Sequence, residues 1–185
     1  MWKIAILGCG GVGQYLAEPI ARLSLKLRQP PPIFMIDGDV VEEDNITRQY
    51  TPDAIGRFKA EILADRAKAF GANAIAVTDY LLPKNIRRHK QSWLRTEIAI
   101  LMCVDNNATR CLLEDAAKRL NNVIVISGGN DEHDGQVQVM VRKKGIMLTP
   151  SLTAIAPEVR HDPGVLPETD CLRRGAREPQ TALVN

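Results

Sequence analysis

The sequence predicts an α/β fold: a doubly wound, mostly parallel sheet with helices on both faces and antiparallel strands at the C-terminal end. Three observations predict it. Short apolar runs alternate with segments of helical periodicity along the chain. The apolar runs hold few polar residues, as Ile98-Ala99-Ile100-Leu101-Met102-Cys103-Val104 shows, which is typical of parallel strands buried on both faces. From Gly135 onward polar and apolar residues alternate instead, which is typical of half-buried antiparallel strands.

The predicted elements follow in chain order. The pattern predicts strands over residues 3–7, 33–36, 74–78, 97–104 and 122–127, and helices over about 12–27, 57–70, 84–93 and 107–120. Leu16, Ile20, Leu23 and Leu27 recur at helical spacing, so we expect this apolar face of the first helix to lie on the sheet. Residues 136–142 and the segment through Gly145 to Leu148 predict a hairpin-like extension. Residues 150–178 hold several prolines and little periodicity, and they predict a long irregular loop.

Length, charge and cysteine usage exclude several classes of protein. A chain of 185 residues is most simply one domain. With 24 Lys and Arg against 22 Asp and Glu, the net charge of +2 is too small to indicate nucleic acid or an anionic membrane as a general partner. The absence of a long apolar run and of a signal segment leads us to expect a cytoplasmic protein. The four cysteines form no C-x-x-C pair, so reduced thiols and no structural zinc are expected.

The first predicted strand runs directly into Gly8-Cys9-Gly10-Gly11-Val12-Gly13, a G-x-G-x-x-G arrangement that opens the first helix. Glycine at position 8 permits a tight turn, glycine at 10 lets a ligand approach the backbone, and glycine at 13 lets the helix pack closely on the strand. The free N–H groups and the positive helix end then face the ligand. A bare glycine motif also serves purely structural turns, but here it lies between a strand and a helix. The sequence therefore predicts a Rossmann-like cradle for a nucleotide phosphate.

Acidic, amide and basic residues follow the second predicted strand. Asp37 ends that strand, at the place where a carboxylate accepts hydrogen bonds from a ribose. Nicotinamide dehydrogenases use the same geometry, so Asp37 by itself indicates a nucleotide without saying which one. The polar loop that follows carries Asp39, Asn45 and Arg48, and the next helix opens with Lys59. Amide and cationic groups beside a phosphate cradle favour a nucleoside triphosphate over an apolar nicotinamide slot.

A further carboxylate, Asp105, follows the predicted strand over residues 97–104. The carboxyl ends of the strands line the ligand crevice in an open parallel sheet. A carboxylate at this point either caps the following helix or binds a metal ion. With a triphosphate already expected, we interpret Asp105 as a magnesium ligand.

Together these motifs resemble the adenylation domain of ubiquitin-activating enzymes and of their bacterial relatives, the ThiF and MoeB proteins of thiamin and molybdopterin synthesis. The resemblance rests on GCGGVG, on DGDVVEEDNITRQ, on the lysine of GRFK and on VDNNATR, in this order. It covers about residues 3–142, with a weaker similarity at Glu178-Pro179-Gln180.

The resemblance implies an ATP-binding adenylation domain over residues 1–149, with residues 150–185 forming a long loop and the start of a C-terminal helix of the same domain. It implies that Gly8, Gly10, Gly11 and Gly13 surround the nucleotide together with Asp37 and Asp39, of which Asp37 holds the ribose. Asn45, Arg48 and Lys59 would contact the phosphates, and Asp105 would bind Mg²⁺. The implied reaction is attack on the α-phosphate of ATP by the C-terminal carboxylate of a ubiquitin-like or sulfur-carrier protein ending in Gly-Gly. The family also implies a homodimer or heterodimer.

Three further features have two interpretations each. In related enzymes a cysteine of the long loop takes up the activated carboxylate, and Cys171 lies in this loop beside Arg173, Arg174 and Arg177, which would favour the thiolate. An incidental reduced cysteine is the alternative. The cluster Arg87-Arg88-His89-Lys90 is either a polyanion site or, as charged helical runs usually are, a solvated face. His133 lies in an acidic turn that is either a metal site or a solvent loop.

Departures from the family pattern keep other functions open. The chain begins on the first strand, so the arginine that relatives carry on an N-terminal helix is expected to be missing or to come from another chain. The chain ends soon after Pro179, which is expected to open a helix, so truncation relative to the family is expected.

A nicotinamide-dependent oxidoreductase would explain GCGGVG and Asp37. A non-catalytic nucleotide-binding scaffold of the same fold would explain the departures.

Overall fold

A computed structural model describes residues 1–46, 49–130 and 135–167. The strands are β1 (Lys3–Leu7), β2 (Ile33–Ile36), β3 (Ala74–Val77), β4 (Ile98–Met102), β5 (Val123–Asn130), β6 (Gly135–Lys143) and β7 (Ile146–Met147). The α-helices are α1 (Gly11–Ser24), α2 (Lys59–Ala69), α3 (Ile86–Gln91), α4 (Asn107–Ala117), α5 (Leu152–Ile155) and α6 (Glu158–His161). Two single 3-10 turns, Glu43–Asn45 and Pro52–Ala54, lie between β2 and α2. In the described part of the chain, no helix is both long and apolar enough to cross a membrane.

All seven strands form one sheet in the order β3-β2-β1-β4-β5-β6-β7. Strands β1 to β5 pair in parallel, and β6 and β7 add an antiparallel end. The strand order reverses between β1 and β4, and the carboxyl ends of strands at such a point border a crevice. The predicted fold class is therefore confirmed.

Two apolar cores lie on the two faces of the sheet. On one face Ile6, Ile33 and Met35 pack against Ala17 of α1 and Leu63 of α2. On the other face the neighbouring strand residues pack against α4 and the segment after α3, through side chains that include Ala5, Leu7, Ile98, Ile100, Leu113 and Trp93. Helices on both faces fix the sheet and hold its carboxyl edge in place.

The predicted apolar face of α1 is wrong in part. Leu23 is 55% exposed and Leu27 is 49% exposed, whereas the buried positions of the helix are Gly13, Ala17, Ala21 and Ser24. The helix starts so close to β1 that only small residues fit between it and the sheet. Leu16 and Ile20 pack at the margin of the core instead.

The predicted irregular loop from residue 150 contains two short helices, α5 and α6, which pack next to α4. Their anchor is Glu114, a carboxylate of α4 that is only 3% exposed. It accepts hydrogen bonds from the backbone N–H of Thr153 at 3.0 Å, from the Thr153 hydroxyl, and from Lys118 at 2.6 Å. Burial acts to raise the pKa of Glu114, but these hydrogen bonds outweigh it and hold the pKa below the ordinary value. This tertiary contact, which local periodicity does not reveal, orders the segment.

We expect Glu114→Ala to lower the free energy of unfolding by about 2 kcal/mol, because it leaves the partly buried Thr153 donors without their acceptor. Urea unfolding at neutral pH measures this. The adjacent Asp115→Ala is the matched control, since its ion pair with Arg160 is half-exposed and costs less than about 1 kcal/mol to remove. Equal losses in both variants would contradict the anchoring role of Glu114.

Candidate functional site

A cleft of about 920 Å³ opens at the carboxyl edge of the sheet, where the strand order reverses between β1 and β4. Its walls come from the loops after β1, β2, β3 and β4, and they include Gly8, Gly10, Gly11, Asp37, Asp39, Asn45, Lys59, Tyr80 and Asp105. Of the predicted site residues that the structure describes, Gly13 alone is not part of the lining, because it lies beneath the loop against β1. The fold thus brings together groups that are far apart in the sequence.

The glycine loop forms the floor of the cleft. Gly8 has φ of +92°, and a side chain there would meet the Cys103 backbone at 2.8 Å. A Cβ on Gly13 would overlap the Gly8 carbonyl oxygen. Gly10 is the N-cap of α1, and no described side chain caps this helix end. Its first N–H groups are therefore available to an anion in the cleft.

Asp37 holds the loop from one side. It accepts hydrogen bonds from the Cys9 N–H at 2.6 Å and from the Asp39 N–H at 2.8 Å. The Tyr50 hydroxyl donates to the Cys9 carbonyl, so the backbone N–H and the backbone carbonyl of Cys9 are both hydrogen-bonded. Burial, reinforced by the nearby Asp39 charge, raises the pKa of Asp37 to about 6 despite these hydrogen bonds.

Asp39 and Lys59 both line the cleft and form an ion pair, with 3.3 Å between Lys59 Nζ and Asp39 Oδ2. Lys59 is only 8% exposed, so it is not the ordinary solvent-facing lysine that a helix start allows. The Tyr80 hydroxyl donates to the other oxygen of Asp39. Asn45 also lines the cleft, and its side-chain oxygen accepts from the Glu42 N–H at 3.0 Å.

Asp105 is exposed in the cleft, in the loop between β4 and α4. The structure decides against helix capping as its role, because the N-cap of α4 is Asn106, whose side chain accepts from the Thr109 N–H at 2.8 Å. Asp105 therefore presents its carboxylate to the cleft rather than to the helix.

Three polar residues of the site were not predicted from the sequence. Arg110 is buried and donates to Ser127 Oγ at 2.8 Å and to the carbonyls of Val104 at 2.6 Å and Gly128 at 2.9 Å, so it ties the end of β4 to β5. Burial lowers its pKa. The Gln49 amide lies over Gly10 and Gly11, and its Oε1 is buried with no hydrogen-bond partner among the described residues. Gln49 and Arg110 both occur in the motifs quoted above, whereas nothing in the sequence distinguishes the third residue, Tyr80.

Some predicted residues lie elsewhere. Arg48, Cys171 and His133 fall outside the described residues. In the cluster Arg87-Arg88-His89-Lys90, the interpretation as a solvated face is wrong for His89, which is 2% exposed and bonded to the core residue Trp93. Cys9 is fully buried, and burial raises the pKa of its thiol, while burial raises the pKa of the partly exposed Cys103 to about 11. Both cysteines are thiols at neutral pH.

The side chains that could act as metal ligands determine which metal ion the cleft could hold. Within the described ranges, no three or more His, Cys, Asp or Glu side chains cluster in a way that could hold a metal ion. Mg²⁺ requires no such cage, because it is commonly held by one or two carboxylates together with the phosphates of a substrate. The exposed carboxylate of Asp105 would suit a magnesium ion that arrives with a nucleotide.

The sheet order and the glycine loop between β1 and α1 define an α/β domain of the Rossmann-like class. The chain belongs to the ThiF family, whose model matches residues 1–176. The resemblance inferred from the motifs is thereby confirmed.

Several curated relatives have different activities. The chain is 28% identical to the tRNA threonylcarbamoyladenosine dehydratase of Haemophilus influenzae over 165 residues, covering 86% of this chain and 60% of the relative. It is 27% identical to the adenylyltransferase and sulfurtransferase MOCS3 of Caenorhabditis briggsae over 138 residues, covering 74% and 32%. It is 29% identical to the ubiquitin-like modifier-activating enzyme 5 of Arabidopsis thaliana over 157 residues, covering 76% and 35%. The chain thus spans between about a third and three fifths of these relatives.

Several solved structures are similar to this chain in fold. The Escherichia coli tRNA N6-threonylcarbamoyladenosine dehydratase TcdA, in complex with ATP, matches with a TM-score of 0.57 and 26% identity, covering 69% of this chain and 51% of that chain. The same enzyme in complex with AMP matches equally well. PaaA, at 22% identity and a TM-score of 0.59, shares the fold, covering 83% of this chain and 45% of that one.

Proposed function

We propose that this domain is an ATP-dependent adenylyltransferase that activates the C-terminal carboxylate of a ubiquitin-like or sulfur-carrier protein ending in Gly-Gly. The observation that carries the proposal is the convergence in one cleft of a helix N-terminus that no described side chain caps, the buried Lys59 and the exposed Asp105. Relatives named as adenylyltransferases or modifier-activating enzymes, and a solved relative that binds ATP, support it.

In the proposed reaction a carboxylate oxygen of the carrier attacks the α-phosphorus of ATP. The bond from that phosphorus to the bridging oxygen breaks, pyrophosphate leaves with the electron pair, and an acyl-adenylate forms. Negative charge on the phosphoryl oxygens is stabilised by fixed donors, which here are the first N–H groups of α1 and the Lys59 ammonium. Asp37 accepts hydrogen bonds from the ribose and fixes the nucleotide against the loop. Mg²⁺ held by Asp105, when bound, supplies further charge neutralisation.

Two measurements test the proposal. Calorimetric titration with ATP and magnesium, and separately with NAD, distinguishes an ATP site from the nicotinamide alternative; binding of NAD alone would overturn the proposal. ATP–pyrophosphate exchange is then assayed with candidate carrier proteins ending in Gly-Gly, and with the same carriers lacking the two glycines as matched controls. Exchange that depends on the glycines is expected. ATP binding without exchange for any carrier would favour the scaffold alternative.

A second candidate function is favoured by the share of the chain that the tRNA threonylcarbamoyladenosine dehydratases cover, 86% for the Haemophilus enzyme. In that case the cleft would use ATP on a modified nucleoside of tRNA rather than on a protein. Consumption of ATP that requires tRNA carrying threonylcarbamoyladenosine, and that is indifferent to carrier proteins, would identify this function.

The raised pKa of Asp37 predicts how nucleoside binding depends on pH. The ionised carboxylate accepts hydrogen bonds from ribose hydroxyls better than the protonated acid does. Because burial places this pKa at about 6, the affinity for adenosine is expected to rise as the pH increases through 6 and to level off above about 7. Adenosine is the suitable probe because no phosphate titrates in it. Calorimetry with 2′,3′-dideoxyadenosine should show a flat profile over the same range, and a parallel rise for both nucleosides would contradict the role of Asp37.

A further inference from the structure

The loop between β3 and α3 places an aromatic residue, Tyr80, beside Asp39 and Lys59 in the cleft. The ring of Tyr80 covers the Gly38 backbone so closely that a Cβ on Gly38 would lie 2.7 Å from it. From there the Tyr80 hydroxyl donates to Asp39 Oδ1, while Lys59 Nζ lies 3.3 Å from Asp39 Oδ2. Each oxygen of the carboxylate thus holds one partner, and Asp39 links the tyrosine to the lysine.

The backbone of Tyr80 is held in turn by polar side chains of the segment that contains α3. Its carbonyl accepts from Asn85 Nδ2 at 2.8 Å and lies 3.1 Å from His89 Nε2. Trp93 Nε1 donates to His89 Nδ1 at 3.0 Å. Because the indole nitrogen is only a donor, Nδ1 must be the acceptor, so the neutral ring carries its proton on Nε2 and donates it to the Tyr80 carbonyl. Burial lowers the pKa of His89 and favours this neutral ring.

We propose that Tyr80 is a positioning residue: through Asp39 it holds the Lys59 ammonium in place for the phosphates of the nucleotide. This inference rests on the proposed function, in which Lys59 contacts those phosphates. A lysine side chain has a flexible four-carbon stem, so an ammonium aimed at a phosphate must be held from outside. Asp39 can serve as that holder only if its own carboxylate is fixed. The Tyr80 hydroxyl fixes it, and the partly buried Asn85 together with the buried His89 and Trp93 fixes the tyrosine.

The test compares ATP with adenosine in Tyr80→Phe, which keeps the ring over Gly38 and removes only the hydroxyl. We expect the affinity for ATP to fall by about five- to tenfold while the affinity for adenosine is unchanged, because the lost bond acts on the phosphate end. In an Asp39→Asn background the same substitution is expected to have little effect, since the carboxylate through which it acts is gone. Tyr15→Phe, on the exposed face of α1, is the matched control and should leave both affinities as they are.

Other outcomes would overturn the inference. An equal loss of ATP and adenosine affinity would mean that Tyr80 contacts the nucleoside or only supports the fold. A loss that persists in full beside Asp39→Asn would mean that the hydroxyl acts by another route. If Lys59→Ala leaves ATP affinity unchanged, the phosphate role of Lys59 fails, and this inference fails with it. If Lys59→Ala weakens ATP binding but Tyr80→Phe does not, only the positioning role is wrong.

Discussion

Replacing Gly13 with alanine is expected to destabilise the protein by at least about 3 kcal/mol, or to prevent folding altogether. The new Cβ would overlap the carbonyl oxygen of Gly8 and lie 3.0 Å from its carbonyl carbon. Both are backbone atoms at the turn between β1 and α1, so no flexible side chain can move aside. Relief requires α1 to move away from the sheet, which disrupts the packing of Ala17 and Ala21. Urea unfolding followed by circular dichroism measures the loss.

The matched control for this substitution is Gly10→Ala. A Cβ on Gly10 would meet only the far end of the Gln49 side chain, at 3.9 Å, so the fold should keep its stability to within about 1 kcal/mol. The new methyl group faces the cleft, and nucleotide affinity should fall even though the protein stays folded. If Gly13→Ala were as stable as Gly10→Ala, the close approach of helix and strand would be contradicted.

Asp105→Asn is expected to lower the rate of ATP–pyrophosphate exchange by about a hundredfold or more, because it removes the proposed magnesium ligand beside the reacting phosphates. The side chain is exposed and Asn106 caps α4, so unfolding should be unaffected. The rate should also need more magnesium to reach its plateau in the variant than in the wild-type protein.

Asp65→Asn, an equivalent loss of charge on the exposed surface of α2, is the control and should leave exchange unchanged. Exchange at the wild-type rate in Asp105→Asn would refute the metal assignment. A loss of rate together with a loss of folding stability would instead assign Asp105 a structural role.

The sequence was sufficient for those features that depend on local pattern and on the order of motifs. Apolar runs and helical periodicity predicted the parallel strands and the first four α-helices, because burial of a strand or a helix face leaves a regular spacing of side chains. The glycine motif and the residues at strand ends predicted the floor and edge of the cleft, since parallel strands bring their carboxyl ends to one edge.

Predictions from local sequence pattern were wrong where contacts with residues distant in the sequence determine which side chains are buried. The apolar stripe of α1 pointed to Leu23 and Leu27, but the close contact of Gly13 with Gly8 presents the small residues of the helix to the sheet. The charge of the run at residues 87–90 indicated a solvated face. His89 is nevertheless buried, because its ring is hydrogen-bonded to Trp93 and to the Tyr80 carbonyl. The sequence after residue 150 has little periodicity, and contact with Glu114 holds the short helix α5 in place.

By itself, the sequence determined the fold class, the family and the location of the glycine loop, because these follow from spacing and order along one chain. Only the tertiary structure decided which acidic residues face the cleft and what holds them. It separated Asp105 from the capping residue Asn106, buried Lys59 against Asp39, and brought in Tyr80 from a loop that is 41 residues from Asp39 in sequence. Hydrogen bonds and ion pairs of this kind depend on distances between atoms in space, and no local pattern of residues encodes such distances.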